Sequence, residues 1–132
     1  VARIQELWDK KLEVQGWAAY WAMMHTFVLE HVVQDVDLMQ QCLFVPYEQF
    51  CLNPGGWLEN IFTFCQLQVS PALFEYLVST VRNPTSKSNF TADEQHAIEK
   101  ECQPVFSKLQ AIWAQQSELS SQRAASAPFL SS

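Results

Sequence analysis

Cys42-Leu43-Phe44-Val45-Pro46-Tyr47-Glu48-Gln49-Phe50 is the stretch on which the reading of this chain turns. Four apolar residues follow one another without interruption and then meet a proline, the pattern of a short strand buried on both faces. Pro46 has no amide hydrogen to give to a ladder, so it marks the strand's end or its edge. A strand of this kind near 42–46 is of the parallel type and needs a helix against each face of its sheet.

The sequence downstream supplies helices. Asn53-Pro54 reads as an N-cap followed by a first helical residue, because the Asn side chain can satisfy a free amide and proline needs no acceptor there. That helix is predicted to run to about Gln66, with Leu58, Ile61, Phe62 and Cys65 on one face, and with Gly55 and Gly56 weakening its first turn. Ser70-Pro71 repeats the start signal, and Leu73, Phe74, Leu77 and Val81 carry a second short helix that ends before Asn83-Pro84. After a polar loop over 83–89, Thr91-Ala92-Asp93-Glu94 offers a capping box ahead of Ile98, Cys102, Val105 and Leu109. Pro104 lies inside that pattern and is expected to kink or split the helix.

Upstream, the pattern from Arg3 to about Val33 is helical, as one long helix or two with Gly16 as the weak point. Trp17, Trp21, Met24, Val28 and Val32 fall on one face, and this stripe of large residues is the expected core. Asp35 and Asp37 interrupt the pattern. Beyond Ser117 the chain turns rich in Ser and Ala, which predicts a flexible tail over 117–132 behind a single domain over 1–116.

Composition narrows the function classes. The 132 residues are 48% hydrophobic, enough for one core. A net charge of -6 argues against nucleic acid, whose phosphates call for clustered Lys and Arg. No apolar run reaches the ~18 residues of a membrane span, since Glu30, His31, Gln34, Asp35 and Asp37 break the richest region. The first residue is Val, and the chain is expected to be a piece of a longer product. Cys42, Cys51, Cys65 and Cys102 form no CxxC pair and read as small buried apolar residues. Asn89-Phe90-Thr91 is a glycosylation sequon, relevant in a secretory lumen alone.

The order of a strand, Tyr47-Glu48, an Asn-Pro start at Asn53-Pro54, an amphipathic helix through Phe64 and Leu67 and a second short helix resembles the C-terminal part of a sulfotransferase domain. Asn89 to Glu94, with Ile98-Glu99 and Cys102, is similar to that family's last helix. Gln49 stands where the family has Asp, and Pro46 where it often has Arg. The resemblance covers about half the chain, from Cys42 to Leu109. It implies an α/β, P-loop NTPase-like fold and transfer of a sulfuryl group from 3'-phosphoadenosine 5'-phosphosulfate (PAPS) to a hydroxyl or amine of a small-molecule, carbohydrate or protein acceptor. It also implies cofactor-binding roles for Tyr47, at the strand end near the adenine, and for Ser86 and Lys87 in the following loop. Tyr47 has a second reading as an aromatic anchor between strand and helix, and Ser86 and Lys87 as solvated loop residues. No glycine-rich phosphate loop precedes Cys42, and the family's phosphate-binding Arg and Ser have no counterpart, so the chain is expected to be inactive alone.

His25, His31 and His96 read as structural or surface residues, since none has the spacing of a zinc helix or of a catalytic pair. The rival reading is a mainly helical protein-interaction module. If the strand near 42–46 lacks its neighbours, its open edges are expected to drive self-association.

Overall fold

A computed structural model of the chain describes residues 1–82 and 89–126, with side chains as far as Glu118. Among the described residues it is all-helical: α1 (Ala2–Asp9), α2 (Glu13–Phe27) continued by a π-helical turn (Val28–Val32), α3 (Val36–Gln40), α4 (Tyr47–Leu52), α5 (Pro54–Phe64), α6 (Pro71–Thr80) and α7 (Ala92–Ser126). The chain divides into two compact units, one made of Val1–Leu38 with Asn89–Ser132 and the other of Met39–Ser88.

The expected α/β fold is therefore corrected, and with it the strand near 42–46. Residues 42–46 join α3 to α4 in an irregular path, with Cys42, Leu43 and Phe44 half-buried and Val45 exposed. A run of four apolar residues suits a buried strand or any segment that lies over a core, and periodicity does not separate the two. A strand needs a neighbour for its amides and carbonyls, and the described residues contain none. Pro46, with extended backbone, becomes the N-cap residue of α4 and accepts the amide of Phe50 at 2.9 Å. The open strand edges from which self-association was expected are accordingly not found among the described residues.

Local start signals fix the helices of the middle unit. The Asn53 side chain accepts from the amide of Gly56 at 3.2 Å, and Ser70 Oγ accepts from that of Leu73 at 3.3 Å. A Cβ on residue 56 would come within 2.6 Å of the Asn53 amide group, so this glycine makes room for the cap. Phe62 of α5 meets Phe74 of α6 edge-on, ring centres 6.4 Å apart, and Cys51 of α4 is buried.

In the other unit the chain folds back after α1 without a glycine. Leu12 donates its amide to Leu7 and Lys11 donates to Trp8, both at 2.9 Å, with Lys11 at φ 59°. This is the paired bonding of a Schellman end with Lys in the left-handed place usually held by Gly. The same pair ends α5, where Leu67 donates to Phe62 and Gln66 donates to Thr63, with Gln66 at φ 56°. The break in the N-terminal helical stretch thus falls at 10–12, and Gly16 lies inside α2.

Thr91 and Glu94 exchange the two bonds of the capping box, at 2.9 and 3.2 Å, and start α7. Pro104 sits within α7 without splitting it. The helix runs through Ser126, so the first ten residues of the expected 117–132 tail have helical backbone and 127–132 lie outside the described residues. The core of this unit joins Ile4 of α1, Ala18, Ala19 and Ala22 of α2, and Leu109 and Ile112 of α7, all buried. Arg3 pairs with Glu101 and ties α1 to α7 at the rim.

Candidate functional site

The packing of α2 reverses the expected orientation of its large residues. Its buried residues are Gly16, which lies under Trp8 of α1, and Ala18, Ala19 and Ala22, of which Ala18 meets Cys102 of α7. Small side chains let two helix backbones approach closely, and the Cys102 thiol reaches the Ala18 carbonyl at 3.6 Å. Trp17 stays 60% exposed, Phe27 57%, Met24 44% and Tyr20 38%. Of the stripe predicted to be core, Trp17 and Met24 face solvent, while Trp21, Val28 and Val32 are half-buried.

The exposed residues lie in register. Trp17, Tyr20, Met24, Phe27 and His31 follow one another at steps of three, four, three and four, which is the seam of a two-helix contact. Phe27 and His31 remain neighbours across the π turn, with ring centres 4.4 Å apart. The four large side chains leave roughly 400 Å² uncovered, taking 150–250 Å² for a fully open aromatic residue. That is within the size of the largest apolar patch that folded monomers commonly expose, about 300–600 Å², and such a patch is often functional.

The seam is braced from within the unit. Trp8 of α1 lies against Trp17 at 5.6 Å and Tyr20 at 6.5 Å between ring centres, and Trp17 meets Tyr20 edge-on at 5.9 Å. Gly16 permits this, since a Cβ there would stand 2.3 Å from the Trp8 indole nitrogen. Trp21 stacks on His25 at 4.1 Å, and His25 Nδ1 donates to the Trp21 carbonyl at 2.8 Å. A carbonyl only accepts, so Nδ1 carries the hydrogen in this bond.

Of the three residues assigned by resemblance, Tyr47 alone lies among the described residues. Tyr47 opens α4 as an exposed side chain, its phenol held above the ordinary value by hydrogen bonding with Cys51 one turn on, then by electrostatic interaction with the same residue. Glu48 is beside it in the first turn of the same helix and exposed. Ser86 and Lys87 lie outside the described residues. Between α5 and α6 a cleft of about 420 Å³ is lined by Glu59, Phe62, Phe74 and Glu75 among others, and by no basic residue. Over 39–82 the sole basic residue is Arg82. A donor with a sulfated 5'-phosphate and a 3'-phosphate calls for converging positive groups, which residues 39–82 do not supply.

In the other unit, a hollow of about 490 Å³ beside α2 contains Arg3, but that guanidinium is engaged by Glu101, whose hydrogen bond and charge raise its pKa. Among the described residues no group of three or more His, Cys, Asp or Glu is placed to hold a metal ion, and no helix is long and apolar enough to cross a membrane. Sequence reasoning missed the seam although its spacing was visible. The signal that would have found it is the run of Ala on the other face, at 18, 19 and 22.

No family model, curated protein or solved structure matches the chain.

Proposed function

We propose that this chain is a helical protein-interaction module whose α2 seam receives the apolar face of a partner helix. The observation that carries the reading is the exposure of Trp17, Tyr20, Met24 and Phe27 at heptad spacing, on a helix whose other face is already packed. Trp and Tyr are the residue types that most often dominate binding energy at the centre of an interface. Bracing by Trp8 favours binding further, because side chains ordered before association lose less entropy when a partner arrives.

Photo-crosslinking tests this directly. A benzophenone side chain placed at Met24 is expected to join a helical partner in cells that express the chain, and the adduct is expected to vanish with Trp17→Asp. The same group at Lys108, on the exposed side of α7, serves as the control. Equal adduct formation at both positions, or none at Met24, sinks the reading.

A further inference from the structure

The polar ends of the seam name an occupant. From Glu13 through Trp17, Tyr20, Met24 and Phe27 to His31 the intervals are 4, 3, 4, 3 and 4, the same in both directions along the chain. The geometry points to a second copy of this chain as the partner, its α2 lying antiparallel on the first about a two-fold axis near the level of Ala22. This rests on the reading of the α2 seam as an interaction surface.

In that arrangement Trp17 meets Phe27 of the second copy and Tyr20 meets Met24 of the second copy, each twice by symmetry. Large residues thus oppose large residues along a seam about 27 Å long at ~1.5 Å per residue. The polar ends then match. Glu13 opens α2 with an exposed carboxylate that has no hydrogen bond or ion pair among the described residues. Antiparallel pairing sets it against His31 of the second copy, an exposed imidazole whose N–H can donate to it. Parallel pairing would instead put Glu13 against Glu13, two like charges at the end of an apolar contact. Charge therefore selects the antiparallel register.

The area sets the strength. Roughly 400 Å² from each copy is about half of what a standard interface contributes per partner, so the dimer is weak and reversible. It assembles where the local concentration is high, at the micromolar level or above.

Sedimentation equilibrium on the purified chain from micromolar to millimolar concentration tests the proposal, with helicity checked by circular dichroism for every variant. The expected result is a monomer–dimer equilibrium that Trp17→Asp weakens by at least about tenfold. Glu13→Lys weakens it too, and Glu13→Lys combined with His31→Glu restores it, because the exchanged pair again sets a donor against a carboxylate. A chain that stays monomeric to millimolar concentration overturns the proposal, as does a dimer indifferent to Trp17→Asp. Failure of the charge exchange to restore association overturns the antiparallel register. Monomeric behaviour together with a Met24 crosslink to a different protein removes the second copy as occupant while leaving the seam's reading in place; loss of both removes both.

Discussion

The two faces of α2 teach opposite lessons about hydrophobic residues. The face with the least apolar area, Ala18, Ala19 and Ala22, is buried, while the face with the most, Trp17, Tyr20, Met24 and Phe27, is open to solvent. Burial follows from which face a neighbouring backbone can approach, and α7 approaches the face with nothing in its way. Large residues on the other side then become available for a contact outside the unit. A helix that is apolar over most of its circumference has one side to spend inside its own fold and another to offer.

The contrast can be broken most forcefully from α7. Leu109→Ala, at a residue 3% exposed in the core shared by α1, α2 and α7, is expected to cost about 2–5 kcal/mol of stability, read by urea unfolding. Next comes Ala22→Leu, which forces a larger side chain into the close approach of α2 and α7 and is expected to destabilise by about 1–3 kcal/mol. Cys102, on the same side, sharpens the contrast through pH. Burial first, and Glu101 second, hold its thiol above the ordinary value, so the unfolded chain releases that proton more readily than the folded one. Its contribution is complete below the unfolded thiol pKa and is lost as pH climbs through the raised folded value. Unfolding curves at about pH 7 and about pH 9.5 are expected to differ less in Cys102→Ala than in the unaltered chain. The smallest effect belongs to the open face. Met24→Ser is expected to change the stability of dilute chain by no more than about 0.5 kcal/mol; a loss comparable to that of Ala22→Leu would overturn the assignment of the two faces.

What the sequence disclosed and what it concealed divide along the range of the interaction. Asn53, Ser70 and the Thr91–Glu94 pair act on amides within three residues, and each starts a helix where the sequence alone places it. Helicity between Arg3 and Val33 was likewise legible from periodicity, yet periodicity gives a face without saying what lies against it. That choice depended on α7, 84 residues away along the chain at the Ala18–Cys102 contact. The segment over 42–46 shows the same limit: its apolar run was plain, but strand formation needs a second strand that the described residues lack. The resemblance to sulfotransferases rested on the order of such elements, and Tyr47, its best-placed residue, begins a helix instead of ending a strand. Helix ends at Lys11 and Gln66 were hidden for a different reason, since neither carries the glycine that usually announces them.

Those two ends have a stereochemical consequence. At Lys11 and Gln66 an L-residue is bent to the hand that its own chirality disfavours, by about 1–2 kcal/mol. A mirror-image residue meets no such conflict. In a chain made by chemical ligation, D-lysine at 11 and D-glutamine at 66 would complete the same two corners with the backbone relaxed, while the same inversion at any interior position of α2 or α5 would break the helix. Handedness at these corners is thus imposed by the fold on the building block, and enantiomers would tell the corners from the helices they end.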